Sequence, residues 1–190
     1  MIKWLLRRQV TNFERTWNYD APHLRELLDT DLSALMAFGM VQAISRYRKD
    51  VSPAAYCAAA IVAVMAEDCG PCTQLVLDMA ERGGVARSAL RAIVARDYDV
   101  MPSDAALAAR FSEASLAHTQ EADDLREQVL RRFGKRGLIV LAFATLTARM
   151  HPTLKYMLGH GHACTSVTIG GQSQSIFRAS GVSATRAAAK

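Results

Sequence analysis

Aromatic residues are scarce in this sequence of 190 residues, where Phe, Trp and Tyr together make up 7%. Basic residues outnumber acidic ones only slightly, 23 to 18, and they are scattered apart from a cluster at Arg131, Arg132, Lys135 and Arg136. Proteins that bind nucleic acid usually concentrate basic charge and interleave it with aromatic side chains. The composition therefore predicts no nucleic-acid partner.

The sequence also lacks a long run of uncharged apolar residues. No stretch approaches the roughly 20 residues that cross a bilayer as a helix. Residues 1–8 have neither the apolar run nor the small-residue cleavage site of a secretory signal. With 51% hydrophobic and 22% charged residues, the chain has the composition of a folded globular protein rather than a disordered one. We therefore expect a cytoplasmic protein with no membrane partner.

Cysteine is rare, with four residues in the chain, and no motif for a bound cofactor is present. A chain of this length buries roughly 70% of the surface that its unfolded form exposes, so it can fold without disulfide or metal staples. The sequence has no glycine-rich phosphate loop, no haem-attachment motif and no convincing set of metal ligands. We predict no tightly bound cofactor and no metal. In a reducing cytoplasm, a cysteine pair is expected to be catalytic or metal-binding rather than structural.

Alanine is abundant instead, with 32 residues, most of them beside Leu, Met, Arg and Glu. This composition favours closely packed helices, so we predict an all-α fold of about seven to nine helices in a single domain over residues 1–169. Apolar spacing and the positions of proline and glycine predict helices over about residues 21–28, 31–47, 54–67, 73–82, 87–95, 103–132, 135–150 and 153–158. Residues 166–169 are the one candidate strand. Residues 170–190 are rich in Gly, Ser, Gln and Ala, which predicts a flexible tail or an arm that docks on a partner.

Three local signals set the predicted helix ends. Ser52 followed by Pro53 is typical of an N-cap and a first helical residue, so a helix is expected to begin there. Gly134 is expected to end the helix that precedes it. Pro152 is expected to break the next one, because proline removes a backbone donor from a helix interior.

The most informative motif is Cys-Gly-Pro-Cys, where two thiols three residues apart come at the start of a predicted helix. A helix N-terminus stabilises a thiolate and lowers the pKa of the first cysteine below its usual range. Pro71 removes an N–H that the first turn would leave unpaired, and it stiffens the segment. We predict that Cys69 attacks a substrate and that Cys72 resolves the intermediate. The neighbouring Glu67 or Asp68 would carry the proton.

Two other interpretations of this cysteine pair stay open at the level of sequence. Both residues can be inert, because cysteine often fills apolar space in a protein core. A structural zinc site would need four ligands, and the one other cluster that could complete it is His160, His162 and Cys164. The plainer interpretation of the two histidines is a polar helix exit.

Residues 53–95 resemble a known family. An apolar, Ala-rich helix enters the Cys-x-x-Cys motif, an amphipathic helix leaves it and ends at Gly83 and Gly84, and a short helix follows. This order is similar to the core of the AhpD-like alkylhydroperoxidase, or carboxymuconolactone decarboxylase, superfamily. The resemblance extends loosely through the later apolar helix and Pro152. It implies an all-helical domain that assembles as a homo-oligomer (trimer, hexamer or dimer) and a thiol pair that reduces peroxides or disulfides.

The chain departs from the pattern of that family at the proton relay. AhpD-like members carry Glu twelve residues before the first cysteine and His four residues after the second, and Cys57 and Val76 occupy these positions here. Cys57 is interpreted as an apolar filler or as a third thiol near the pair. Three histidines elsewhere in the chain are candidates to approach the pair: His118, His151 and His160. The same tetrapeptide occurs in thioredoxin, but the later strands and the cis-proline segment of that fold are missing.

The leading functional prediction is an AhpD-like oxidoreductase that uses a peroxide or disulfide substrate and a thiol reductant. One alternative is a non-redox carboxymuconolactone decarboxylase-like protein that binds a small organic acid through Arg149, His151 and Lys155, because a guanidinium can hold a carboxylate with two donors. Another is a non-catalytic oligomeric module with bystander cysteines. A helical oligomer suits this interpretation, because buried interfaces accommodate a large apolar fraction.

Overall fold

A computed structural model describes residues 2–163 and 166–176 of the chain, and this part is mostly helical. It contains eight helices followed by a two-stranded hairpin. The elements are α1 (Ile2–Trp17), α2 (Pro22–Thr30), α3 (Leu32–Ser45), α4 (Pro53–Ala66), α5 (Gly70–Arg82), α6 (Arg87–Ala95), α7 (Ser103–Ala117), α8 (Glu121–Met157), β1 (Ser166–Ile169) and β2 (Gln172–Ser175). The predicted all-α class, its range of helix numbers and the candidate strand are confirmed.

The central element is α4, which is buried along nearly its whole length. Its N-cap is Ser52, whose hydroxyl accepts a hydrogen bond from the Ala55 amide at 3.2 Å, and Pro53 occupies the first turn. Every residue from 55 to 65 is buried. A helix that is apolar on all sides is stable in a protein only when other elements surround it.

Helices α7 and α8 supply most of that surrounding layer. The contacts are made by small residues: Ala59 on α4, Ala105 and Ala108 on α7, and Ala144 on α8 all lie in one buried cluster. Small side chains let helix axes approach closely, and Leu141 of α8 lies in the same buried cluster. The Ala-rich composition therefore has a direct structural counterpart in the core.

The predicted helix over residues 103–132 is wrong, because the chain turns between α7 and α8. His118 has a left-handed backbone conformation (φ 55°) and forms the C-cap of α7. The Thr119 amide then closes the turn onto the Ala114 carbonyl at 3.1 Å. The turn allows α8 to pack back against α7. Neither glycine nor proline occupies it, so the sequence carried no ordinary signal for this break.

The two breaks expected further along the chain have different outcomes. Gly134 has φ 68° and ψ −177°, so it interrupts α8 as expected. Pro152 does not break the helix, which continues to Met157. Pro152 is buried inside the protein, and tertiary packing keeps the helix continuous although the proline leaves the Ala148 carbonyl without its helical donor.

Helix α8 is long enough, and apolar enough in one 18-residue window, to meet the criterion for a membrane-spanning helix by length and composition alone. A third of that window is buried inside the structure. Long core helices of water-soluble proteins can meet the same criterion, so this result does not assign the helix to a membrane. It does go beyond the sequence expectation, which had identified no stretch of that kind.

The β1–β2 hairpin packs on α5. It includes residue 170, where the predicted tail begins. Its strands pair antiparallel, with Val167 opposite Gln174. The side chain of Gln74 on α5 accepts a hydrogen bond from the Thr168 amide at 2.7 Å and donates one to the Thr168 carbonyl at 2.8 Å. The rest of the predicted tail, residues 177–190, lies outside the described residues.

Candidate functional site

Cys69 and Cys72 form a disulfide at the N-terminus of α5, with their Cα atoms 5.3 Å apart. Cys69 is the N-cap residue, and Cys72 lies in the first turn. A separation of about 4.4–6.8 Å suits a disulfide. The predicted placement of the pair at a helix start and within disulfide distance is therefore confirmed.

Both cysteines are buried, with only 1% of Cys69 and 3% of Cys72 exposed. The segment after α8 covers this end of α5, because the Gly70 amide donates to the His162 carbonyl at 3.2 Å. Beside it, the Tyr156 hydroxyl donates to the Asp68 carbonyl at 2.8 Å. Reaction at either sulfur therefore requires displacement of some of this cover.

Three apolar side chains surround the pair. Val64 of α4 is buried with the two cysteines, and Val76 and Ala148 pack against this group. Val76 thus lies beside the disulfide at the position where the resembling family carries histidine. Because its side chain cannot carry a proton, any proton transfer at this pair depends on other residues.

Glu67 and Asp68, the predicted proton carriers, lie in the turn between α4 and α5. The Glu67 carboxylate is held by the Arg149 guanidinium and by the Thr153 hydroxyl, which donates at 3.1 Å. Asp68 is exposed and has a left-handed backbone conformation (φ 53°), which turns the chain towards Cys69. Their role in proton transfer stays a prediction.

A second set of polar side chains approaches the pair from inside the protein. We call Tyr19, His23, His151 and Lys155 the polar cluster. The Tyr19 hydroxyl lies 3.6 Å from the Cys72 sulfur, and the Lys155 ammonium donates to that hydroxyl at 3.3 Å. The Nε2 atom of His23 and the Nδ1 atom of His151 are 3.3 Å apart.

Burial shifts the pKa of every member of the polar cluster in the direction that favours the neutral side chain. It lowers the pKa of His23 to about 3, with further contributions from His151, Lys155 and His160. Burial followed by the charge of Lys155 lowers the pKa of His151 to about 4. Burial also lowers the pKa of Lys155, which Asp20 partly offsets, and it raises the pKa of Tyr19 with a smaller contribution from Asp20. Near neutral pH both histidines are therefore uncharged.

Sequence reasoning missed Tyr19 and His23, named His151 both as a candidate to approach the pair and as a contact for an organic acid, and gave Lys155 only the second role. These last two were candidate contacts for an organic acid, but Lys155 is only 2% exposed and is bound to Tyr19. A signal for the cluster is present in α8, where Leu141, Ala144 and Pro152 belong to one stripe of buried residues. That stripe reaches Lys155 at helical spacing.

An apolar groove of about 680 Å³ runs between α3, α7 and α8. Phe38, Phe111 and Leu146 line it together with Arg149 and Thr153. The last two residues also hold Glu67, so one end of the groove borders the turn that precedes Cys69. The groove is large enough to hold a small organic molecule, with Arg149 as its basic residue.

The remaining candidate residues lie in different settings. His160 contacts Glu26 at 2.6 Å, while His118 and His162 are exposed. Cys57 is a free thiol inside the main core cluster, where burial raises its pKa. Cys164 lies outside the described residues. Within residues 2–163 and 166–176, no group of three or more His, Cys, Asp or Glu side chains is placed to hold a metal ion.

No protein-family model matches the chain, and no curated protein and no solved structure matches it significantly. The resemblance described above thus rests on the residues of the Cys-x-x-Cys segment. Support for a function comes from the geometry of the site.

Proposed function

We propose that the protein is a thiol-disulfide redox protein, similar in action to the AhpD-like peroxidases and disulfide reductases. The observation that carries this proposal is the Cys69–Cys72 pair at disulfide distance on the N-terminus of α5. The positive end of the helix dipole favours a thiolate at that place. A nucleophilic thiolate with a second thiol in reach is what thiol-disulfide exchange needs.

The reaction with a peroxide would proceed in two steps. The Cys69 thiolate attacks the peroxide, so that a sulfur–oxygen bond forms, the oxygen–oxygen bond breaks, and the alcohol leaves with a proton. The Cys72 thiolate then attacks the Cys69 sulfenic acid and expels water, which closes the disulfide. An external thiol reductant returns two electrons and two protons and restores both thiols. With a disulfide substrate, two thiols leave in place of the alcohol and water.

The burial of both sulfurs favours small substrates over folded proteins, because a small molecule needs less displacement of the cover. We further propose that the protein works in the cytoplasm as a homo-oligomer. Exposed apolar side chains on α3 and α8, such as Met36, Met40 and Leu146, support this part of the proposal. Exposed apolar patches commonly mark the surfaces where subunits meet.

A second candidate function is the binding of a small organic acid without redox chemistry. The apolar groove favours it, because Arg149 lies on a wall formed mainly by apolar side chains. The ion pair between Arg149 and Glu67 weighs against it, since an acid would have to compete with that carboxylate. The cysteine variants described next separate the two candidates.

The proposal is tested by redox titration and by reduction of an organic hydroperoxide with dithiothreitol as reductant. We expect a reversible two-electron midpoint within the roughly −180 to −270 mV of disulfide oxidoreductases. Cys69→Ser and Cys72→Ser should each abolish that midpoint and lower peroxide turnover by about 100-fold or more. Cys57→Ala is the matched control, because it removes a free thiol from the core and should leave both properties unchanged.

A pair that never cycles, or turnover that survives in Cys69→Ser, would overturn the redox proposal. Binding of carboxylates in the apolar groove by a protein lacking both thiols would instead support the second candidate. Arg149→Met should then remove that binding. These outcomes are measured on the same set of purified variants.

A further inference from the structure

Cys72 has a polar neighbour that does not come from its own helix. The Tyr19 hydroxyl, from the segment between α1 and α2, lies 3.6 Å from the Cys72 sulfur, and both residues are buried. The ring of Tyr19 is fixed by an edge-on contact with Phe13 at 6.0 Å between centroids. The hydroxyl is therefore held against the sulfur in a site that excludes water.

The partner of that hydroxyl is a buried ammonium. Lys155 donates to it at 3.3 Å, and its nitrogen also lies 4.8 Å from the centre of the Tyr19 ring. In the part of the chain that the structure describes, this hydrogen bond reaches a phenol rather than a carboxylate. A buried ammonium without a close counterion gives up a proton more readily than an exposed one.

Tyr19 itself is suited to pass a proton without becoming charged. Burial and the nearby Asp20 raise its pKa, so the phenol stays neutral. A neutral hydroxyl can donate its proton to sulfur while it accepts another from an amine. Such an exchange requires both partners within hydrogen-bond reach, and the contacts of Tyr19 with Cys72 and Lys155 provide them.

We propose that Tyr19 and Lys155 carry the proton that Cys72 exchanges when the disulfide opens and closes. This inference rests on the proposed redox function. Tyr19 contacts a reacting atom and is the catalytic residue of the pair, while Lys155 acts through it as a positioning residue and proton source. Sequence reasoning had placed this task on the residues that precede Cys69.

The disulfide opens by attack of an external thiolate. The thiolate of the external reductant attacks the Cys69 sulfur, a mixed disulfide forms, and the Cys69–Cys72 bond breaks with its electron pair passing to Cys72. The Cys72 sulfur takes the proton of the Tyr19 hydroxyl as that oxygen takes one from Lys155. A neutral amine remains, and solvent returns its proton. Closing reverses the exchange.

Other titratable groups face this path. Asp20 lies near both Tyr19 and Lys155, and His23, His151 and His160 interact electrostatically with one another or with Lys155. His23 and His151 are neutral above about pH 4. They therefore add no positive charge to the path in the range where thiols react.

The test measures the rate at which dithiothreitol opens the disulfide of the full chain, as a function of pH. We expect Tyr19→Phe to lower that rate about tenfold or more at pH 7, because it removes the hydroxyl and keeps the ring. Lys155→Met should cause a similar loss. The double variant should lose no more than either single variant, since both residues serve one proton. In both single variants, the rate of disulfide opening should depend on pH differently from the wild type at the acidic end of the range.

Tyr56→Phe is the matched control, because it removes another buried tyrosine hydroxyl that donates to the Ser45 carbonyl at 3.0 Å. It should leave the rate and the pH profile unchanged. Tyr19→Phe or Lys155→Met at the wild-type rate would overturn the relay. Additive losses in the double variant would overturn it too. A wild-type pair that does not cycle at all would instead overturn the proposed function, so the two failures are distinguishable.

Discussion

The core around α4 and the polar cluster both lie against α8, yet their buried side chains differ in polarity. Around α4 the buried residues are apolar and mostly small. About two to three turns beyond Ala144 on α8, Lys155 and His151 meet Tyr19 and His23 with no carboxylate inside the group. Burying titratable groups costs stability that apolar side chains of similar size would not. The core accounts for stability, whereas the cluster is a feature that stability alone does not explain.

Weakening the core should have the largest effect on stability. Leu141 of α8 is fully buried, and Leu141→Ala should lower the free energy of unfolding by about 3 kcal/mol, because it removes apolar contacts and leaves a cavity. Denaturant titration monitored by circular dichroism measures this change. The redox midpoint of the folded variant should stay as in the wild type.

Lys135→Ala on the same helix is the control, since that side chain is exposed and lies outside both the core and the apolar groove. Its effect on stability should be well below 1 kcal/mol. Equal losses in the two variants would show that α8 is not anchored through the residues that face α4.

The polar cluster should make the free energy of unfolding depend on pH. The folded chain holds His23 and His151 with pKa values of about 3 and 4, while an unfolded histidine titrates near about 6.5. As the pH falls from 6.5 to 5.5, the unfolded state binds protons first. The free energy of unfolding should therefore fall by about 1 kcal/mol for each histidine, about 2 in total.

His23→Gln should remove about half of that pH dependence, measured by denaturant titration at several pH values. His118→Asn is the matched control, because His118 is exposed at the end of α7 and asparagine tolerates its left-handed backbone. A wild-type stability that is flat over this range would mean that the two histidines titrate alike in the folded and unfolded chain.

The smallest expected effect concerns the start of the central helix. Ser52→Ala removes the hydroxyl that caps α4 and should cost about 1 kcal/mol. Ser52→Asp keeps an acceptor at the same place and should retain most of the stability. Thermal unfolding followed by circular dichroism measures both, and an alanine variant as stable as the wild type would show that tertiary packing alone fixes this helix end.

Several local signals in the sequence were informative. Ser52 and Pro53 correctly mark the start of α4, and the two cysteines correctly mark the start of α5. The turn at His118 was missed, because a non-glycine residue takes the left-handed conformation there. Pro152 was misjudged, because tertiary packing around the buried proline keeps the helix continuous across it.

In the candidate site, too, contacts between residues close in sequence were predicted and contacts between distant residues were not. The disulfide joins residues three apart, so their spacing is enough to predict it. Tyr19 is separated from Cys72 by 53 positions and from Lys155 by 136, so only the tertiary fold brings the connection between α1 and α2 against α5 and α8. No rule of local spacing identifies such a contact.

The backbone bond between Gly70 and His162 has a kinetic consequence. While it is in place, the sulfurs are nearly inaccessible, so a reagent reacts only during the moments when the segment after α8 moves aside. A small reagent then needs a smaller movement of that segment than a large reagent does. At high reagent concentration the rate should become independent of concentration and approach the frequency of opening, which makes the disulfide a reporter of the motion of its own cover.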